Sequence, residues 1–227
     1  MILQDMHLHT NYSDGKNSPE EMIRAAISLG ISNICFTDHV RKDSLWVADY
    51  INELESLKSK FKDKIRIDIG VEAKVLDFDG CLDCPEIAIS NEKIKIVAAI
   101  HRLPKGNGEF IRRDEIVRDK KLAIECWMNA VGGLKSNHRF ERLAHPFSLF
   151  NTMEINKSDL EIWNSVIILL KALPAKIEYN VKYSHSMVPD YLWDTLKKKL
   201  IFGSDSHSIY DMKKRFPCLR DLEMLLT

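Results

Sequence analysis

Side chains that can bind metal ions stand at or just past the ends of strand-like apolar runs throughout this 227-residue chain. Six of the eight histidines and three carboxylates take part. They are His7, His9, His39, Glu72, His101, His145, Asp205 and His207, with Glu178 in a matching position. With one residue taken from each cluster, the successive gaps are 32, 33, 29, 44, 33 and 29 residues. Imidazole nitrogens and carboxylate oxygens are common ligands of zinc and similar cations. The pattern therefore predicts a polynuclear metal site.

Two of these clusters are pairs with one residue between the members, His7 with His9 and Asp205 with His207. Residues i and i+2 of a strand face the same side, so each pair can bind one ion. One pair stands at the carboxyl end of the first predicted strand, and the other pair follows the last predicted strand. Because those strands are neighbours in a barrel, we expect the two pairs to meet.

The gaps match the length of one strand plus one helix, which is about 30 residues. We predict strands at 2–7, 31–37, 65–72, 94–100, 142–144, 176–180 and 200–203. We predict helices at 18–29, 45–61, 114–131, 158–173 and 188–199, and a loop or small insertion at 73–92. Strands that alternate with helices form a parallel sheet with helices outside, and seven in a row favour a curled or closed barrel. The chemistry of such barrels lies at the carboxyl ends of the strands, where all the marker residues map.

Composition restricts the class of protein. A length of 227 residues fits one barrel domain over 1–227. The 33 basic and 33 acidic residues cancel, which argues against a nucleic-acid binder. No apolar stretch reaches the ~18 residues of a membrane span. Five irregularly spaced cysteines are typical of reduced thiols, so we expect a cytoplasmic location.

Taken one at a time, several of these residues have a structural interpretation as well. Asp14 stands beside Gly15, where it can be a turn residue or a ligand. Asp38 can orient an imidazole or cap the turn that follows it. His101 and His145 can each ligate a metal or pack against the core. Their shared position at strand ends favours the ligand interpretation.

Seven motifs in order closely resemble the PHP family (polymerase and histidinol phosphatase domains). They are HLHTNYSDG (7–15), FTDH (36–39), GVE (70–72), the strand-terminal His101, LAHP (143–146), IEYN (177–180) and FGSDSH (202–207). The resemblance covers residue 5 to about residue 210. It implies a distorted (β/α)7 barrel that holds two or three divalent ions, usually zinc, manganese or iron.

The resemblance also implies which residues hold each ion. The first ion would be bound by His7, His9, Glu72 and Asp205. The second would be bound by Glu72, His101 and His145, so that the Glu72 carboxylate bridges both ions. The third would be bound by Asp14, His39 and His207.

These features predict a metal-dependent phosphoesterase, and specifically a phosphomonoesterase that resembles histidinol phosphatases. A hydroxide that bridges the ions would attack a small phosphorylated metabolite. Arg102 directly follows His101 and can form a forked contact with phosphate. Arg41 and His185 are further candidates for substrate contact.

Three other functions stay open. A phosphodiesterase or nuclease would act on DNA or RNA, and a steep loss of affinity with salt would support it. A non-catalytic module would be expected to lack some ligands, yet none is missing. A hydrolase of C–N bonds would release ammonia in place of phosphate.

Overall fold

Parallel strands alternate with helices in the computed structural model, which describes residues 3–183 and 188–226. Within those residues, seven strands form one sheet in their sequence order. The strands are β1 (Gln4–Leu8), β2 (Asn33–Val40), β3 (Arg66–Lys74), β4 (Lys95–Ala99), β5 (Phe140–Leu143), β6 (Lys176–Asn180) and β7 (Leu200–Gly203). Every predicted strand is present, which confirms the predicted α/β fold with parallel strands inside.

The barrel is nearly closed, because the last strand returns to the first at a few points only. Leu8 forms an isolated parallel bridge with Ser206, and the amide of His9 donates to the carbonyl of Ser206 at 3.0 Å. Below this bridge the buried Asp5 accepts from the amide of Ser204 at 2.9 Å and from its hydroxyl at 2.6 Å. These bonds fix the carboxyl end of β7 beside that of β1.

Helices cover the outside of the sheet. They are α1 (Pro19–Ser28), α2 (Val47–Phe61), α3 (Glu86–Ile89), α4 (Arg113–Arg118), α5 (Lys120–Gly133), α6 (Leu160–Ala172), α7 (Asp190–Leu196) and α8 (Ile209–Leu226). No helix among the described residues is long and apolar enough to cross a membrane.

The helix predicted over 18–29 is present as α1, and local signals mark both of its ends. The Ser18 hydroxyl accepts from the Glu21 amide, and the Glu21 carboxylate accepts from the Ser18 amide, which forms a capping box around Pro19. Gly30 follows the helix with φ +77°, a conformation that favours glycine. Local sequence therefore determines both ends of this helix.

The prediction of one helix over 114–131 is wrong, because the helix is interrupted at Asp119. This residue leaves the helical region with φ −130° and ψ 79°. Its carboxylate then accepts from the amide of Leu122 at 3.0 Å, so that Asp119 caps α5. An aspartate that can start a new helix competes with continuation of the old one.

The final helix was absent from the sequence-based expectations. α8 packs Leu219 and Leu222 against Tyr179 and Phe202, on the outside of β6 and β7. The guanidinium of Arg215 donates to the carbonyl of Asp205 at 2.5 Å. Helix α8 therefore fixes the segment that follows β7 from the outside of the barrel.

The barrel interior contains a fully buried arginine that the sequence pattern did not indicate. Arg142 of β5 donates to the carbonyl of Met6 and to the thiol of Cys35, the latter at 3.2 Å. Arg142 thus ties β5 to β1 and β2 across the barrel.

The segment 73–92, predicted to be a loop or insertion, is a short hairpin-like excursion followed by α3. Val75 bridges Leu82 in the antiparallel sense. The excursion packs closely against the end of α5. A Cβ on Gly133 would overlap the carbonyl oxygen of Phe78, and one on Gly80 would lie 2.5 Å from the carbonyl oxygen of Gly133. Only glycine at these two positions allows the backbone of the excursion to contact the backbone at the end of α5.

We expect Gly133→Ala to destabilise the protein by about 1–3 kcal/mol, because the added methyl group forces the two backbones apart. Thermal unfolding monitored by circular dichroism measures this effect. Gly132→Ala is the matched control, since no atom of the described residues outside the neighbouring helix backbone lies within 4 Å of the position that a Cβ would take there. It is expected to be neutral or slightly stabilising. Equal melting temperatures for the two variants would contradict this account of the contact.

Candidate metal centre

The side chains singled out in the sequence converge at the carboxyl end of the barrel. His7 lies in β1, His39 in β2, Glu72 in β3 and Glu178 in β6. The others lie within four residues after β1, β4, β5 or β7, except Asp14 in the loop after β1. Parallel register places His39 beside Glu72. His145 and Asp205 have φ of 26° and 53°, which is rare outside glycine. The turns after β5 and β7 therefore adopt strained backbone to aim these two side chains.

Glu72 lies at the centre of this cluster and is 1% exposed. Its two carboxylate oxygens face different histidines. Oε1 lies 2.9 Å from His145 Nε2 and 3.3 Å from His101 Nε2. Oε2 lies 2.8 Å from His39 Nδ1, 3.5 Å from His7 Nε2 and 3.6 Å from His9 Nε2. One carboxylate therefore separates two sets of imidazoles, and it can contact an ion on each side.

The pairs from the first and last strands meet, as expected. The Nε2 atoms of His7 and His9 are 2.9 Å apart. Asp205 Oδ1 lies 3.3 Å from His9 Nε2 and 3.8 Å from His7 Nε2. Nitrogen and oxygen atoms that crowd around one point in this way can share a single cation.

A second convergence involves the loop after β1. Asp14 Oδ1 lies 3.2 Å from His207 Nε2, and its Oδ2 lies 3.6 Å from His39 Nε2. The rings of His9 and His207 stack with centroids 4.2 Å apart. Asp14 is a loop residue, yet its carboxylate faces three imidazoles, including His9 Nδ1 at 3.8 Å.

Asp38 holds that loop in place. Its Oδ1 accepts from the amide of Thr10 at 2.8 Å and from the hydroxyl of Ser13 at 2.8 Å. Both donors belong to the segment that carries His9 and Asp14. These contacts match neither role expected for Asp38, because they fix the loop after β1 and not an imidazole or the turn that follows Asp38.

Glu178 orients the first histidine. Its Oε2 lies 2.7 Å from His7 Nδ1, and its Oε1 accepts from the side-chain amide of Asn180 at 2.5 Å. A carboxylate on Nδ1 leaves Nε2 of the same ring directed at the centre. Gly203 makes room for this pair, since a Cβ there would lie 2.6 Å from the Cβ of His7. The spacing placed Glu178 at the correct strand end without indicating this role.

Sequence reasoning missed Lys182. Its ammonium group lies 2.9 Å from Asp205 Oδ2 and over the ring of Tyr183. Burial lowers the pKa of Lys182, but Asp205 outweighs burial and raises it. Lys182 therefore stays charged and occupies one oxygen of Asp205, while the other oxygen faces the histidines. Its position shortly after the IEYN motif was the only signal in the sequence.

The charges of the centre match what cation binding requires. Burial raises the pKa of Glu72, but His101 and His7 outweigh it and hold that pKa well below the usual range. Burial lowers the pKa of His9 to about 4, so its ring is neutral near pH 7. Burial also lowers the pKa of His7, yet Glu178 and Glu72 outweigh it and raise that pKa. Binding of a cation at His7 would therefore release a proton.

Two buried ring nitrogens in this cluster, His9 Nδ1 and His145 Nδ1, have no hydrogen-bond partner among the described residues. Glu72 Oε2 accepts no well-aligned hydrogen bond from those residues either, although His39 Nδ1 lies 2.8 Å from it. Among the described residues, three groups bring their ligand atoms within 4.8 Å of one another. The groups are His9 with Asp14, His39 and His207; His7 with His9 and Glu72; and His39 with Glu72 and His101. Unpartnered buried atoms within such groups fit divalent cations.

Clefts flank the cluster on two sides. One of about 270 Å³ is lined by His101, His145, Lys182 and Asp205, among others. Another, of about 480 Å³, contains the predicted substrate-contact residues Arg41 and Arg102. His185, the third predicted contact, lies outside the described residues.

Known proteins resemble this chain in sequence and in structure. The model of the PHP domain family matches residues 5–192. A histidinol-phosphatase of Lactococcus lactis is 38% identical over 77 residues, which are 30% of this chain and 28% of that protein. The DNA polymerase/3'-5' exonuclease PolX of Bacillus subtilis is 33% identical over 109 residues, which are 44% of this chain and 18% of that protein. The chain thus spans less than a third of the length of these curated relatives.

A solved structure extends the likeness to the whole fold. The Lactococcus lactis histidinol phosphate phosphatase, complexed with zinc, L-histidinol and phosphate, superposes with a TM-score of 0.67. The match covers 96% of this chain and 94% of that one at 19% identity. At this identity the likeness shows the barrel fold.

Proposed function

Because the chain belongs to the PHP domain family, we propose that it is a metal-dependent phosphomonoesterase acting on a small phosphorylated metabolite. The position of Glu72 carries this proposal. Its buried carboxylate stands between two sets of imidazoles, one on each oxygen. Adjacent cation sites that share a carboxylate are typical of enzymes that cleave phosphate esters.

We assign nine residues to the cations. His7, His9, Glu72 and Asp205 would hold one ion, and Glu72, His101 and His145 a second. Asp14, His39 and His207 would hold a third, and the proximity of Asp14 to His207 Nε2 at 3.2 Å supports this set. The ions would be zinc, manganese or iron. The zinc in the Lactococcus lactis phosphatase supports zinc as the first candidate.

Divalent ions in such a site lower the pKa of water and offset the charge of the phosphate oxygens. The chain's own residues prepare the site for that chemistry. Glu178 fixes the ring of His7, and Lys182 fixes the carboxylate of Asp205. Five of the assigned ligands, among them His101 and His207, also line the open cleft where the ester would enter. During hydrolysis the ester P–O bond breaks, water supplies the new P–O bond, and the alcohol leaves with a proton.

A small substrate fits the site better than a nucleic acid does. The cleft beside His145 has about 270 Å³, and the chain has no excess of basic residues. Histidinol phosphate is the first compound to test, because it is the substrate class in the name of the Lactococcus lactis relative. The cytoplasmic location expected from the cysteines is part of this proposal, and cell fractionation tests it.

The proposal is tested by metal analysis together with phosphate release from a panel of phosphomonoesters. Purified protein is expected to contain two or three divalent ions per chain. Removal of these ions with a chelator should abolish phosphate release, and zinc, manganese or iron should restore it. A protein that releases phosphate equally well after complete metal removal would contradict the proposal. Nucleotide release from an oligonucleotide, or ammonia release from amides, would instead support one of the alternatives.

A further inference from the structure

A third cleft continues from the metal centre on the far side of His101. It has about 690 Å³ and shares His101, Leu149 and Tyr183 with the cleft that lines the centre. A phosphate ester bound at the centre can therefore extend its alcohol part into this cleft. The side chains there decide which alcohols are accepted.

Three arginines line the cleft, and two of them have no acidic partner in the part of the chain that the structure describes. Arg112 lies 3.0 Å from Asp114 and 3.8 Å from Glu115, so its charge is paired. Arg113, in contrast, has no hydrogen bond or ion pair with any residue that the structure describes. Arg102 stacks its guanidinium at 5.1 Å over the ring of Phe110 and has no acidic partner within the described part of the chain.

The remaining lining adds apolar surface and no negative charge. Ile111, Ile116 and Leu149 form the apolar part. Among residues 3–183 and 188–226, no carboxylate lines this cleft. The segment 184–187 has the sequence Ser-His-Ser-Met and so contains no acid either. The cleft is thus partly apolar and carries positive charge from Arg102 and Arg113.

We propose that the alcohol part of the natural substrate carries a second anionic group, a carboxylate or another phosphate, which Arg102 and Arg113 bind. This inference rests on the proposed phosphomonoesterase function. A guanidinium group has planar donors that match both kinds of anion. An ammonium or imidazolium group, such as histidinol carries, would face two unpaired cations in the same place.

Three aryl phosphates test the inference on the metal-loaded protein. They are the phosphates of 4-hydroxyphenylacetate, 4-ethylphenol and tyramine, whose leaving phenols are similar in size and acidity but carry negative, neutral and positive side groups. We expect kcat/KM to be about tenfold higher for the anionic than for the neutral ester, and lowest for the cationic ester. High salt should narrow these ratios, because the arginines are exposed.

Two variants assign the preference to its residues. Arg113→Ala and the double variant Arg102→Ala/Arg113→Ala should reduce the anionic-to-neutral ratio stepwise towards one. Arg66→Ala is the matched control, since Arg66 is an exposed arginine at the amino end of β3, which is the opposite end of the barrel from the cleft. It removes the same charge and should leave the ratio unchanged.

Binding of the same three esters, measured by calorimetry, separates this inference from the proposed function. Turnover of the neutral ester without any preference for the anionic one would overturn the inference and leave the function standing. An equal loss of kcat/KM for all three esters in the Arg102 and Arg113 variants would also overturn the inference, because these arginines would then contact the reacting phosphate. Binding in the expected order without turnover would support the inference and refute the function. No binding of any ester would refute both.

Discussion

Glu72→Gln is expected to reduce phosphate release by a factor of about a thousand or more. The substitution keeps the size of the side chain and removes its negative charge. That charge is present in the native protein, because burial raises the pKa of Glu72 but His101 and His7 outweigh burial and lower it strongly. Loss of one preorganised group that stabilises charge in a reaction site commonly costs a factor of about 10²–10³. Glu72 faces imidazoles on both oxygens, so we expect the upper end of that range or beyond.

Metal content should fall together with the rate. Oε1 faces His101 and His145, and Oε2 faces His39, His7 and His9. If Glu72 bridges two ions, Glu72→Gln removes more than one equivalent of metal. Elemental analysis after gel filtration measures this loss, and phosphate release measures the rate.

Glu178→Gln is the control for this experiment. Glu178 is equally buried and contacts His7, but it lies on the far side of that ring from the centre. Loss of the Glu178 charge is expected to reduce phosphate release by a factor of about 10–100, while most of the metal is retained. If Glu72→Gln kept its full metal content and the native rate, the assignment of Glu72 to a bridging position would be wrong.

His101→Ala is expected to reduce turnover at least a hundredfold while the fold stays intact. His101 Nε2 lies 3.3 Å from Glu72 Oε1, and the side chain is 35% exposed where the clefts meet. Removal of a partly exposed ring leaves no sealed cavity, so the melting temperature should change by only a few degrees. We expect the rate to fall because the ion proposed on that side of Glu72 would lose a ligand that also lines the cleft.

The matched control is His138→Ala, which removes an exposed histidine from the loop before β5. We expect wild-type rates and metal content from this control. Phosphate release from the metal-loaded proteins compares the two variants. A metal-loaded His101→Ala protein with nearly the native rate would contradict the role assigned to His101.

The location of the site could be predicted from sequence because parallel strands obey simple geometry. Apolar runs mark the strands, and polar residues at their carboxyl ends must share one end of the barrel. This argument needs no knowledge of contacts. It placed His39, Glu72 and His101 together although they lie far apart in the chain, and their side chains meet in the structure.

Residues that act through others could not be predicted in this way. Lys182 lies outside the regular strand-end spacing, and only its 2.9 Å contact with Asp205 reveals its role. The break at Asp119 was missed because the helical pattern continues across it. The contact between Gly80 and Gly133 depends on the path of a loop, and no periodicity encodes such a path.

The sequence by itself determined the order of the strands, the chemical types of the candidate ligands and the end of the barrel at which they gather. These properties follow from local hydrophobic patterning and from the fixed hand of strand–helix–strand units. The tertiary structure alone decided which oxygen of Glu72 faces which histidine, how Lys182 holds Asp205, and that Arg102 and Arg113 share one cleft. The physical reason is that distances of a few ångströms between remote side chains depend on loop conformations and packing, which no local pattern specifies.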